Sequence, residues 1–285
     1  MTRLANWSKN YNYLFDRSSS HASKHQTSRG YQMNRTPPAE VLFQLRSEVG
    51  FVCPVEDCCS PFLTWHHFDP PWRVENHHDP KRMIALCREH HDHAEGGAFT
   101  IAQLRSLKEM GDQGKLVSSK MKWMRNRLLL IAGGSFYYET LTVFEYNSQK
   151  VIWLERDKDD NLSLYLRMLS TCQEPRAFMD NNQWYSTGNE KDIVCPPFGR
   201  KILIEYHNGD SFGVEFFEAS SLTDISSRFV LPALGEQVLP LPVTCVCVST
   251  KIGGTPYGFT ARETSLPGIR MKGGFMGYQR CAISM

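Results

Sequence analysis

Seven of the ten histidines in this 285-residue chain fall in one stretch: His66, His67, His77, His78, His90, His91 and His93. Four of the nine cysteines, Cys53, Cys58, Cys59 and Cys87, lie in or beside it. Imidazole is the commonest metal ligand and the side chain best poised for proton transfer near neutral pH. Clustered Cys and His in a chain with no apolar leader read as metal binding rather than as disulfides. Cys53-Pro54-Val55-Glu56-Asp57-Cys58 forms one knuckle and Cys87-Arg88-Glu89-His90 a second. Together they offer Cys53, Cys58, Cys87 and His90, a closed Cys3His set suited to structural zinc. Cys59 stands as an alternative to Cys58.

Four protein ligands leave no position for a substrate, so any reaction falls to the remaining histidines. His66 and His67 end the apolar run Pro61-Phe62-Leu63-Thr64-Trp65. On a strand, adjacent side chains point to opposite faces, so one imidazole can face a metal while the other faces a water. His91 follows His90 on a helix expected to begin near Leu86 or Cys87. Neighbouring helix positions diverge by about 100°, so His90 can serve the zinc while His91 faces the strand. Glu95, Asp69 and His93 read as solvated, although Glu95 lies one turn beyond His91 and could orient it. Trp65, Trp72 and Phe68 surround the motif, Phe68 most naturally as core.

These residues need elements to position them. Thr36-Pro37-Pro38 opens a helix expected over 38–48, and Thr100 caps another running to Lys108. Residues 115–131 read as a basic helix ended by Gly133-Gly134. Beyond 135 the pattern turns to β-branched and aromatic runs: Phe136 to Glu145, Val151 to Glu155, Leu162 to Leu169, Lys201 to Tyr206, Phe212 to Phe217 and Val243 to Val248. Asp157 to Asn161 and His207-Asn208-Gly209-Asp210 are turn signals. The predicted fold class is α+β. A basic N-terminal arm (1–38) precedes a zinc-stabilised module (39–112), a basic helical linker (113–134) and a mostly β domain (135–285), a sandwich or barrel.

Composition narrows the classes. Hydrophobic residues at 41% and charged residues at 22% mark a soluble globular chain. The longest apolar run, Leu128 to Ala132, is far too short to span a bilayer. A cytoplasmic location is expected. Net charge is only +2, but Arg3, Lys9, Arg17, Lys24, Arg29 and Arg35 in the arm face a single acid, Asp16. Lys115, Lys120, Lys122, Arg125 and Arg127 form a second basic run. Such patches can neutralise phosphates locally. An aromatic anchor is expected at Trp7, Tyr11, Tyr13 and Phe15. Cys172, Cys195, Cys245, Cys247 and Cys281 read as buried free thiols. No phosphate-binding loop, Gly-x-Ser-x-Gly motif or catalytic carboxylate pair is present.

Leu63-Thr64-Trp65-His66-His67-Phe68-Asp69-Pro70, followed by Met83-Ile84-Ala85-Leu86-Cys87-Arg88-Glu89-His90-His91, resembles the HNH endonuclease family. The resemblance covers about residues 46–108 and implies the family's ββα-metal fold. It implies that His66 and His91 bind a catalytic divalent ion (Mg2+, Mn2+ or Ni2+), that His67 is the general base, and that the flanking knuckles hold structural Zn2+. The family often has Asn five residues before the cysteine of the second knuckle, where this chain has Arg82. His78, or His77, is the expected replacement ligand, and Arg82 is a candidate phosphate contact. The expectation is a DNA-cutting phosphodiester hydrolase, an anti-phage or restriction effector. The β domain would recognise an activating ligand or protein, and two copies would pair to cut a duplex. The alternative is a catalytically degenerate, zinc-stabilised DNA-binding or interaction protein.

Overall fold

A computed structural model of the chain describes residues 34–111, 116–123, 125–171, 174–232, 238–265 and 273–285. The arm up to residue 33, with its aromatic anchor, and Cys172 lie outside the described residues. Helix α1 (Ala39–Glu48) starts on Pro38, which needs no N–H partner at a helix N-terminus. A knuckle loop then leads to β1 (Leu63–His67), which pairs antiparallel with β2 (Met83–Cys87). The register sets Leu63 against Cys87 and His67 against Met83. Cys87 is also the N-cap of α2 (Arg88–Glu95). Thr100 caps α3 (Ile101–Met110) with a reciprocal capping box to Gln103. Leu45, Leu63, Phe68, Met83, Leu86 and Leu104 close a small core of their own, and Phe68 is core as expected.

The rest is sheet: β3 (Ser118–Lys120), β4 (Leu128–Ala132), β5 (Ser135–Tyr138), β6 (Thr142–Tyr146), β7 (Gln149–Arg156), β8 (Leu162–Arg167), β9 (Phe178–Asp180), β10 (Gln183–Tyr185), β11 (Glu190–Val194), β12 (Lys201–Tyr206) and β13 (Ser211–Ala219). After a short helix, α4 (Leu222–Ser226), come β14 (Val243–Lys251), β15 (Gly258–Phe259), β16 (Thr264–Ser265), β17 (Phe275–Gly277) and β18 (Cys281–Ser284). One sheet runs β18-β6-β7-β8-β9-β10-β3 and the other β11-β12-β13-β14-β4-β5-β17. Ile152, Leu164 and Trp184 from the first share a core with Ile204, Phe212 and Val246 from the second, so the two sheets pack face to face. The fold is mixed α+β, mostly sheet with few helices, which is the predicted class. Among the described residues no helix is long and apolar enough to cross a membrane.

The helix expected over 115–131 is not formed. Two strands, β3 and β4, occupy that stretch. All five residues of Leu128–Ala132 are buried, because Leu128 and Leu130 face the core between the sheets while Leu129 and Ile131 face a second core under α4. A strand covered on both faces reads as a continuous apolar run, which periodicity cannot separate from a buried helix. Gly133-Gly134 is the two-residue turn of the β4–β5 hairpin, with φ of 61° and 71°. A Cβ on Gly134 would stand 2.2 Å from the Arg262 carbonyl oxygen, so side chains are excluded there by contact as well as by φ. The run Phe136 to Glu145 is broken into β5 and β6 near Glu139, at φ 49°. The turns at Asp157–Asn161 and Asn208-Gly209 fall where the sequence puts them. Cys195, Cys245 and Cys247 are buried free thiols, and Cys281 is half-buried.

Helix α1 touches the sheet region directly. Arg46 donates from Nε and Nη2 to the two carboxylate oxygens of Asp192 on β11, at 3.0 and 2.6 Å. Val52 is buried in the large core, with Phe51 and Phe62 packed against it.

Candidate metal centres

Pairing of Leu63 with Cys87 brings the end of β2 beside the knuckle loop, and the first turn of α2 brings in His90. Cys58 Sγ lies 3.7 Å from Cys87 Sγ. His90 Nδ1 lies 3.4 Å from Cys53 Sγ and 3.2 Å from Cys87 Sγ. Zinc bonds of about 2.3 Å to sulfur and about 2.0 Å to nitrogen, at tetrahedral angles, set S···S edges of about 3.8 Å and S···N edges of about 3.5 Å. These three edges fall near those values and all four ligand atoms lie within 4.8 Å of one another, so this buried Cys3His cluster could hold a structural metal such as zinc. Cys59 is exposed at φ 47° and is not one of the four gathered ligands, which favours Cys58. Burial pushes the Cys53 thiol up, with the neighbouring Cys87 and Cys58 adding to it; burial also pushes the Cys58 thiol up. Thiols held this way ionise readily only with a cation among them.

A second donor set lies further along α2. His66, His91 and Glu95 bring one ligand atom each within 4.8 Å of one another. The His66 and His91 rings meet edge to face at 5.2 Å. Glu95 Oε1 is 3.6 Å from His66 Nδ1 and 3.9 Å from His91 Nε2. His66 is only 5% exposed, and its Nδ1 has no hydrogen-bond partner among the described residues. Burial and the facing His91 hold its pKa below the usual imidazole value. With ligand atoms of His91 and Glu95 this close to its buried Nδ1, the three side chains could hold a metal ion. Arg35 lies over this cluster, its Nη2 3.7 Å from Glu95 Oε1.

His67 takes the opposite face of β1, as the strand period requires. It is 3% exposed and packs against Trp72 at 4.8 Å, His77 at 5.1 Å and His78 at 6.0 Å between ring centroids. The His77 backbone beside it favours a proton on the ring, and its Nε2 is buried without a partner. Burial, reinforced by His77, lowers its pKa to about 4.

Of the residues singled out from the sequence, the structure gathers Cys53, Cys58, Cys87 and His90 in one set and His66 and His91 in another. It sets His67 beside them. His78 is with His67 rather than with His66 and His91, and the third donor at the second set is Glu95. Its position one turn after His91 was the available signal. The Arg82 guanidinium meets Glu75 at 2.7 and 3.2 Å and Asp79 at 3.3 Å. It thereby ties the 68–82 connection to the start of β2. The part played by Trp72, stacked on His78 at 5.3 Å and 23°, has no local sequence signal. No family model, curated protein or solved structure matches the chain.

Proposed function

We propose that the chain is a metal-dependent phosphodiester hydrolase, and more particularly an HNH-type endonuclease acting on DNA. In this reading residues 39–112 are a ββα-metal module made of β1, β2 and α2, with structural zinc at Cys53, Cys58, Cys87 and His90. The observation that carries the proposal is the division of labour at two adjacent residues. His66 turns toward His91 and Glu95, while His67 turns a bare, buried Nε2 the other way.

His66, His91 and Glu95 would hold the catalytic ion, with Glu95 taking the place expected of His78. Magnesium, manganese or nickel bound there would supply positive charge to offset the negative charge developing on the phosphoryl and leaving oxygens. Imidazole donors favour the transition metals, and the Glu95 carboxylate keeps magnesium acceptable. His67, neutral at physiological pH, takes a proton from water on Nε2, its own ring proton resting on Nδ1 toward the His77 backbone in this reading. Trp72 covers His67 and limits access of bulk water. Arg35, 62% exposed, is better disposed to meet a phosphate than Arg82, whose two Nη atoms already donate to Glu75.

We further propose that the sheet region recognises an activating ligand or protein in a defence or restriction role, and that two copies pair on a duplex. A second reading, a zinc-stabilised DNA-binding module without activity, is favoured by the engagement of Arg82 with Glu75. Plasmid cleavage by wild type and His67→Ala, each with magnesium, manganese, nickel or EDTA, separates the two. The nuclease predicts metal-dependent cutting that falls by about 10²- to 10⁴-fold in the variant. DNA binding with no cutting under any metal would leave the binding module.

A further inference from the structure

We propose that His78 is a second catalytic residue, which with His67 grips the reacting water between two imidazole acceptors. The proposal rests on the nuclease reading above. His78 Nε2 is 2.8 Å from the Asn34 carbonyl oxygen, which can only accept, so Nε2 carries the ring proton. Nδ1 of the neutral ring is then a bare lone pair, and it is buried with no partner. His67 Nε2 is likewise buried with no partner, and with its ring proton on Nδ1, as the general-base reading requires, it too is a bare lone pair. His77, the third ring of the group, differs. Its Nε2–H donates to the Pro70 carbonyl at 3.0 Å, and its Nδ1 accepts from the Asp79 amide at 3.3 Å.

Two rings with unmatched acceptors therefore lie 6.0 Å apart, with Trp72 against both. Two lone pairs cannot bond each other, and each buried acceptor left without a donor is costly. A small species with two donors would satisfy both. A water has two hydrogens, each able to reach an imidazole nitrogen at about 2.8–2.9 Å. A cation fits less well, because among the described residues no third ligand atom joins these two as Glu95 joins His66 and His91.

A water held by both hydrogens points its lone pairs away from the two rings, toward an incoming phosphate. In the hydrolytic step its oxygen forms the new bond to phosphorus, and the O–H bond directed at His67 breaks with the proton passing to Nε2. The bond from phosphorus to the leaving 3′ oxygen breaks, and that oxygen is protonated from solvent. His78 keeps a hydrogen bond throughout and gains no proton.

The test is single-turnover plasmid cleavage by the full metal-loaded chain as wild type, His78→Phe and His78→Asn, with DNA affinity and bound metal measured alongside. Phe keeps a ring for Trp72 but has no acceptor, so kcat should fall about 10²-fold with affinity and metal content unchanged. Asn restores an acceptor oxygen near the Nδ1 position, so it should recover about tenfold over Phe. Wild-type kcat in His78→Phe would reduce His78 to packing, and loss of metal there would make it a ligand; either overturns the assignment alone. An inert wild type would overturn the nuclease reading and this assignment together. Long-range 1H–15N NMR of the same chain gives an independent check, since a proton on His78 Nδ1 would overturn the grip whatever the activity.

Discussion

Two donor sets share the eight-residue helix α2, and they are built for opposite ends. Cys53, Cys58, Cys87 and His90 form a closed set at its start, tetrahedral in spacing and made mostly of thiols. His66, His91 and Glu95 form an open set along its length, with only three donors and a half-exposed carboxylate. His90 and His91 are adjacent in sequence, yet the helical rotation between them sends one to each set. A closed set can stabilise a fold and do little else, whereas an open one leaves coordination positions for water or another ligand. The contrast extends to the regions themselves. Residues 39–110 rest on a small core around Leu45, Met83 and Leu86, while the two sheets bury a large one. Small cores commonly depend on a metal for their stability, and large ones do not.

Removal of metal is the strongest way to break that comparison. Structural zinc in small domains contributes about 10–16 kcal/mol of apparent binding energy near neutral pH. A chelator, or Cys87→Ser, should abolish amide protection in β1, β2 and α2 while β4, β12, β13 and β14 keep theirs. Hydrogen exchange followed by mass spectrometry measures this directly. Equal loss in both regions would mean that the sheets depend on the metal too. His66→Ala should spare protection in both regions and remove one equivalent of a second, weaker metal by calorimetry.

Cutting the link between the regions should have the next largest effect. Arg46 and Asp192 are 17% and 12% exposed and bonded through two contacts. Removing one partner of such a pair strands the other, at a cost of about 3 kcal/mol after allowing for partial exposure. Asp192→Ala should therefore lower the denaturation midpoint markedly, and the double change Arg46→Met with Asp192→Leu should recover most of the loss. A double variant as unstable as the single one would contradict an origin in the stranded charge.

How much of this was legible in the sequence follows from locality. The Cys3His set was readable because its spacing is a local pattern, and so were the caps at Pro38 and Thr100 and the turns at Asp157 and Asn208. Glu95 was visible as a helical neighbour of His91 but indistinguishable from a solvated acid without the strand that carries His66. The strand at 128–132 was misread because burial on both faces erases period. Arg46–Asp192 and the stacking of Trp72 on His78 join residues far apart or across an irregular loop, and no local pattern announces them.

The sheet region has an electrostatic centre of its own, which sharpens the contrast at low pH. Asp210 is fully buried at the β12–β13 turn. Burial alone would raise its pKa, but hydrogen bonds from Ser170, Arg176, Asn208 and the Gly253 amide outweigh that and hold it below the usual 3.8. A carboxylate depressed on folding contributes stability that is present above its unfolded pKa and lost as pH falls through the folded one. Asp210→Asn should thus cost about 2 kcal/mol at pH 7, since Arg176, only 5% exposed, loses its buried counter-charge and keeps the exposed Glu174 carboxylate at 3.3 Å. The gap from wild type should narrow below about pH 4. A gap independent of pH would point to packing rather than charge.

The smallest expected effect tests whether the two regions melt separately. The Thr100 hydroxyl accepts from the Gln103 amide at 3.2 Å, and the Gln103 side chain accepts from the Thr100 amide at 2.8 Å. Thr100→Ala removes half of this box and should cost about 1 kcal/mol, confined to α3 and the core that Leu104 enters. In the metal-loaded chain the change should lower protection around Leu104, Leu86 and Leu45 and leave Val246 and Ile204 unmoved. If Arg46–Asp192 instead welds both regions into one cooperative unit, the same loss of about 1 kcal/mol will appear at Val246 as well. The cap variant combined with Asp192→Ala then decides the matter. A welded molecule should regain local behaviour once the link is cut, and two regions that already open independently should respond to the cap as before.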